Sequence, residues 1–280
     1  MKTAYIVFCS PAGSTGHVTQ VIADSLEEKS IPVHRLDLGA GQDPSRFIGL
    51  LKRAEADDCL FVGSPVYREM AIPPVMTFLN GLSTANNGCS TVPFVTWGGA
   101  ISGIALWQMG QVLQNKGYVL TGGAKVLAVH SMMWRSDQPA GQGHPDDDDD
   151  RQVRRLVTKV IERMSTLKVK PMPLSDLDYQ PETIAVDFKK KLDRPWMIIP
   201  KTIDEESCTQ CGTCEAMCPV GAVALNPGPI FNAHCFDCFK CVRECPEDAI
   251  ISSVPLDKIQ NMIRERVEKY NEMPPTQIFW

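Results

Sequence analysis

Eight of the eleven cysteines fall in two copies of one pattern, C-x2-C-x2-C-x3-C-P. The first copy is Cys208, Cys211, Cys214, Cys218 and Pro219; the second is Cys235, Cys238, Cys241, Cys245 and Pro246. Two-residue gaps let one curled loop bring three thiolates to a compact iron–sulfur cube. The fourth cysteine, three residues on and before a proline, starts a turn leading away and reaches the neighbouring cube. Crossed sharing assigns one [4Fe-4S] cluster to Cys208, Cys211, Cys214 and Cys245, and a second to Cys235, Cys238, Cys241 and Cys218. Structural zinc is the competing reading. Zinc sites use CxxC pairs with a longer gap between pairs, and need neither a third cysteine two residues on nor a following proline. The chemistry implied is single-electron transfer.

The two copies form an internal repeat, with residues 219–223 aligning on 246–250. On these motifs, residues 204–254 resemble a bacterial-type two-cluster ferredoxin, a small α+β domain. That stretch carries eight acids and two bases, a net charge of −6 against −5 for the whole chain. An acidic face around the clusters would steer basic partners towards them.

These sites need elements to position them, and 280 residues leave room for a medium domain beside the small one. No run of 18 or more apolar residues is present, so no membrane span is expected. Residues 1–10 are too short in apolar character for a secretory signal. Cysteines at ligand spacing fit a reducing cytoplasm better than a disulfide framework. No Arg/Lys stripe points to nucleic acid. Of the cysteines left over, Cys9 and Cys59 lie in apolar strand-like runs and read as small core residues, with Cys89 the third.

The first 167 residues alternate between strand and helix patterns. Strands are expected at 4–9, 33–38, 59–63, 92–97 and 124–130, and helices at 17–29, 47–54, 74–82, 103–116 and 151–167. This predicts a doubly wound, five-stranded parallel sheet whose ligand site lies at the carboxyl ends of the first, third and fourth strands. The unusual loops fall there. Residues 10–17 (SPAGSTGH) leave a strand and enter a helix, so their amides and hydroxyls suit an anion such as phosphate; a plain turn is the alternative. Residues 63–68 and 96–103 offer aromatic and apolar surface beside bare backbone, which suits a flat amphipathic ring.

Together the three loops resemble the FMN-binding loops of the flavodoxin-like family over residues 1–167. The resemblance implies phosphate at Ser10, Ala12, Gly13, Ser14, Thr15 and Gly16. It implies the isoalloxazine between Pro65, Val66, Tyr67 and Arg68 on one side and Thr96, Trp97, Gly98, Gly99 and Gly103 on the other. Arg68 departs from the acid-rich loops of small flavodoxins, and beside the ring's N1 region it would raise the flavin potential. Residues 131–150 form a long insert whose Trp134 and His144 read as loop packing, and the acids 146–150 read as a solvated helix start.

Residues 168–203 hold five prolines and read as a linker packed along the first domain. Residues 255–280 read as a helical tail that clamps one domain or meets a second copy of the chain. The whole chain is similar to the flavodoxin–ferredoxin fusion proteins of anaerobes. That resemblance implies an electron-transfer flavoprotein relaying single electrons between two [4Fe-4S] clusters and FMN, with a ferredoxin or oxidoreductase as redox partner. Two alternatives remain open: an FMN-dependent reductase, with Tyr67, His130 and His144 as candidate proton donors, and a redox-switched binding module.

Overall fold

The computed structural model describes residues 1–85, 88–166 and 169–280. Five long parallel strands form the body of its N-terminal sheet: β1 (Ala4–Phe8), β2 (Val33–Asp37), β3 (Cys59–Tyr67), β4 (Ser90–Trp97) and β5 (Gly123–Leu127), with the two-residue strands Met70–Ala71 and Val119–Leu120 at the side. They lie in the order β5-β4-β3-β1-β2. This is the flavodoxin-like order, with its switch point between β1 and β3.

Successive side chains of each strand point to opposite faces. Ala4 and Ile6 of β1 pack with α1 (Ser14–Glu27) and α5 (Asp147–Met164), through Val18, Ile22, Leu26, Leu156 and Val160. Tyr5 and Val7 pack on the other side, with α2 (Ser45–Leu51), α3 (Pro73–Gly81) and α4 (Ala105–Asn115), through Phe47, Leu51, Leu79, Leu106 and Met109. A strand covered on both faces must be apolar at every position, which is why β1 and β3 read as unbroken hydrophobic runs.

The chain's far end completes this sheet. After the helix Leu256–Tyr270, residues Gln277–Phe279 add an antiparallel strand beside β5, with Phe279 opposite Gly123. The tail is therefore helix and then strand, and the sheet is wider than the five parallel strands expected. Strand β5 ends at Leu127 rather than at 130: the Ala128 amide still donates to the Trp97 carbonyl, but Val129 turns to the His144 carbonyl and His130 to that of Ala140. The expected helix end at 167 and the domain boundary at 167/168 lie outside the described residues.

The linker packs as expected and is partly helical. Helix α6 (Glu182–Lys189) sets Ala185 and Phe188 against Ile101 and Ile104. Its last residues, Lys201–Ile203, already pair antiparallel with Ile250–Ser252, so the small module begins before 204. A hairpin pairs Val223–Leu225 with Pro229–Phe231. Among the described residues no helix is long and apolar enough to cross a membrane.

Candidate functional site

The two cysteine motifs fold the same way because their backbones share three left-handed positions. Gln210 and Asp237 have φ of 56° and 59°; Gly212 and Phe239 have 80° and 56°; Gly221 and Asp248 have 59° and 53°. Each pair occupies equivalent places in the two copies. Left-handed residues turn successive amides towards one centre, which suits an anionic cluster. Only two of the six are glycine, so the loops carry backbone strain that their surroundings must hold. Short helices, Thr213–Ala216 and Lys240–Arg243, follow the left-handed Gly212 and Phe239.

The eight thiols line two cavities. Cys208, Cys211, Cys214 and Cys245 line the first, together with Leu225, Pro246 and Ile250. Cys218, Cys235, Cys238 and Cys241 line the second, with Pro219, Val223, Phe236, Phe239 and Lys201. Four soft sulfurs converging in an apolar pocket are a donor set that fits an iron–sulfur cube. The two cavities differ in setting. The first opens outward: Thr209, Gln210, Cys211, Pro246 and Glu247 are exposed. The second is enclosed by the buried residues 236–239 and by Lys201, whose side chain is 1% exposed. Burial pushes the thiol of Cys238 up to about 11 and that of Cys241 up to about 12, with Lys201 pulling the other way in both. Outside, hydrogen bonds with Thr213 hold the Cys211 thiol below its ordinary value.

The enclosed cavity sits on the carboxyl ends of the parallel strands. Phe236 meets Tyr67 with ring centroids 6.1 Å apart, and Phe236 and Cys238 join the core cluster that contains Cys9, Val62 and Leu36. A Cβ placed on Gly39, just beyond β2, would stand 3.2 Å from Pro219 and 3.3 Å from both Cys9 Sγ and Asp37, so the backbone is closely approached where the two halves touch. Arg68 pairs with Asp237 at 3.1 Å, and Arg243 donates to the Pro11 carbonyl at 3.0 Å.

Around the same strand ends lie the three loops singled out above. Gly13 (φ 94°) turns the chain into α1, Ser10 Oγ accepts from the Gly16 amide at 2.8 Å, and the hydroxyls of Thr15 and Thr96 meet at 2.7 Å. Among the described residues the amides of Ala12, Ser14 and Thr15 have no acceptor. A helix start with free amides and small residues fits a phosphate. Pro65 is buried, while Val66 and Tyr67 are half-buried, as are Gly98 and Gly99. Three expected ring contacts face elsewhere. Trp97 is buried and donates from Nε1 to the Pro275 carbonyl at 2.8 Å. Gly103 backs against the Glu69 carbonyl, which also accepts from Ile104 at 2.8 Å. Arg68, expected near the ring, extends instead to the second cysteine loop.

The candidate proton donors are poorly set for that work. His130 is half-buried, and desolvation with the nearby Arg266 brings it down to about 4, which favours the neutral ring. Burial raises the Tyr67 hydroxyl well above its ordinary value. His144 bonds Asp149 at 2.6 Å. Asp149 is itself buried and also accepts from Thr276, so it is a strut between α5 and the tail rather than a solvated helix start. Asp146 and Asp149 form a reciprocal capping box at that helix end. Cys9, Cys59 and Cys89 are buried core residues, with burial raising Cys9 and Cys89 to about 12. Sequence reading missed Lys201, Asp237 and Arg243. Asp237 lies inside a cysteine motif, which was a usable signal; Lys201 had none.

Comparison with known proteins places the module. The family model for the 4Fe-4S dicluster domain matches residues 186–250. Ferredoxin-1 of Rhodobacter capsulatus is 40% identical over 58 residues, with 89% of that protein covered. The polyferredoxin protein MvhB of Methanothermus fervidus is 39% identical over 51 residues, and the chain spans 12% of its length. Among solved structures, a flavodoxin from the domain Archaea aligns with 59% of this chain and 100% of its own, at 22% identity and a TM-score of 0.45.

Proposed function

Because the chain belongs to the 4Fe-4S dicluster ferredoxin family through its residues 186–250, we propose that it is an electron-transfer protein coupling two [4Fe-4S] clusters to FMN. Cys208, Cys211, Cys214 and Cys245 hold the outer cluster, and Cys218, Cys235, Cys238 and Cys241 the inner one. Each cluster takes up and gives back one electron. Residues 10–16 bind the flavin phosphate, with the amides of Ala12, Ser14 and Thr15 as donors and Ser10, Gly13 and Gly16 shaping the loop, and Val66, Tyr67, Gly98 and Gly99 border its ring. A redox protein docks at the outer cluster, where Glu205, Glu206, Glu215 and Glu247 are exposed and favour a basic partner.

One observation carries this reading: the enclosed four-cysteine cavity is seated on the strand ends that hold the phosphate-type loop, through the contacts Phe236–Tyr67, Arg68–Asp237 and Arg243–Pro11. Electron tunnelling falls steeply with distance, so a fixed seat of this kind serves transfer where a loose tether would not.

The test is anaerobic reconstitution with iron and sulfide, followed by flavin titration. About eight irons per chain and FMN binding with flavin fluorescence quenched are expected, with riboflavin binding at least roughly tenfold weaker for want of its phosphate. Equal binding of riboflavin and FMN would remove the 10–16 loop from the site. No flavin binding at all would remove the flavin from the account.

A further inference from the structure

We infer that Lys201 makes the inner cluster the higher-potential member of the pair, so that electrons entering at the exposed cluster run inward, towards the flavin-type loops. This rests on the reading that the two cysteine cavities hold [4Fe-4S] clusters. It adds a direction, which neither the motifs nor the fold supplies.

The side chain of Lys201 is 1% exposed, and its ammonium lies 3.8 Å from Cys235 Sγ. It donates to Asp237 at 2.8 Å and to the Ile199 carbonyl at 3.1 Å, and stands 4.6 Å from the centre of the Phe239 ring. Its charge acts on Cys238 and Cys241 as well. Asp237 is the counter-ion, but Arg68 also binds it at 3.1 Å, so one carboxylate answers two cations. The module's two other bases, Lys240 and Arg243, are on the short helix that contains Cys241. The outer cavity is lined by the exposed Glu247, the exposed Glu205 and Glu206 shortly precede its ligand Cys208, and the exposed Glu215 follows its ligand Cys214; Arg135 pairs with the neighbouring Asp248.

Reducing a cluster adds one negative charge, with no proton moved and no bond formed. A buried ammonium donating towards a ligand sulfur stabilises that charge, and acids around a cluster oppose it. Burial alone acts the other way, because it disfavours added charge. It also leaves Lys201 unscreened, whereas the outer acids are screened by water and salt. The fixed cations therefore decide the order. A reduced one-electron iron–sulfur carrier gives its electron to the outer cluster and leaves oxidised, and the electron moves on to the inner one.

The test is an anaerobic redox titration followed by electron paramagnetic resonance, on wild type, Lys201→Arg and Lys201→Met, with iron counted in each. In Lys201→Met the higher-potential couple is expected to fall by at least a tenfold change in its reduced-to-oxidised ratio at fixed potential, about 59 mV for one electron. The lower couple moves by less than half as much, and Lys201→Arg stays near wild type. A shift confined to the lower couple, or none, overturns the assignment. So does loss of iron from Lys201→Met alone, which would make Lys201 a strut rather than a tuning charge. Wild type that bound zinc or no iron would instead sink the cluster reading itself.

Discussion

Replacing Cys218 by Ala is expected to strip iron from the cavity built by the other motif. By sequence Cys218 belongs with Cys208, Cys211 and Cys214, yet it lines the cavity with Cys235, Cys238 and Cys241. Iron should fall from about eight to about four per chain, and the surviving signal should belong to the exposed cluster. Cys245→Ala should do the converse and leave the enclosed cluster. The Ala222 amide, which lies 3.1 Å from Cys218 Sγ, would lose its partner in the first variant. Cys9→Ala is the control: its sulfur shares a core cluster with Phe236 and Cys238 but lines neither cavity, so all the iron should remain. Iron analysis with electron paramagnetic resonance reads each result. Loss of the first motif's own cluster in Cys218→Ala would show uncrossed ligation.

The second large effect lies far from the cysteines. Glu272 enters the first domain from the tail, 10% exposed, and pairs with Lys125, which is 1% exposed. It also accepts from the Ser102 amide at 2.8 Å, from Gln180 at 3.1 Å and from the Ser102 hydroxyl. Tyr179 bonds the same hydroxyl at 2.7 Å and lies beneath the Lys125 ammonium. Removing one partner leaves the other charge buried and alone, which costs about 3–5 kcal/mol. Glu272→Gln is therefore expected to lower the melting temperature by roughly 6–10 °C, taking the lower figure for a protein of this size. Lys125→Met combined with Glu272→Gln should recover part of that loss, since no lone charge remains.

The pH dependence of this pair has a definite sign. Burial pushes the Glu272 carboxyl up, but the attraction and hydrogen bond of Lys125, with those of Ser102, outweigh it and hold the group below its ordinary value. A carboxyl depressed by folding contributes stability that is fully present above its unfolded value, near 4.5. That contribution is lost as pH falls through the lower folded value. Thermal melts of wild type should thus weaken below about pH 4.5, and Glu272→Gln should lack this part of the acid loss. A variant with the same acid profile as wild type would show that Glu272 is not the titrating strut.

What could be read in advance was whatever geometry forces on spacing. Cysteine gaps of two and three residues suit the shape of an iron–sulfur cube, so both motifs, and the crossed grouping of cysteines that lines the two cavities, were legible. The sheet was legible because strands buried on both faces must be apolar throughout, as at residues 59–62. Short elements and distant pairings were not. Gln277–Phe279 is three residues long and follows two prolines, so nothing marked it as an edge strand. Glu272 looks like any tail acid until Lys125, 147 residues earlier, is placed beside it. Trp97 was rightly put at a strand end, but its indole direction is fixed by the Pro275 carbonyl, 178 residues away. Arg68 stood out as a misplaced cation; its partner Asp237 lies 169 residues off and belongs to the other half of the molecule. Of the left-handed turns that shape the cysteine loops, Gly212 and Gly221 were visible as glycines, whereas Gln210, Asp237, Phe239 and Asp248 were not.

The central claim is that the enclosed cluster exchanges electrons with flavin bound on the same chain. Anaerobic stopped-flow mixing of the fully loaded protein with a limiting one-electron reductant tests it most directly. The account predicts that the broad iron–sulfur absorbance bleaches first and then recovers as the flavin bands fall, at a rate independent of protein concentration and absent from Cys218→Ala. Flavin reduction whose rate rises with protein concentration, or that proceeds unchanged in Cys218→Ala, would contradict it.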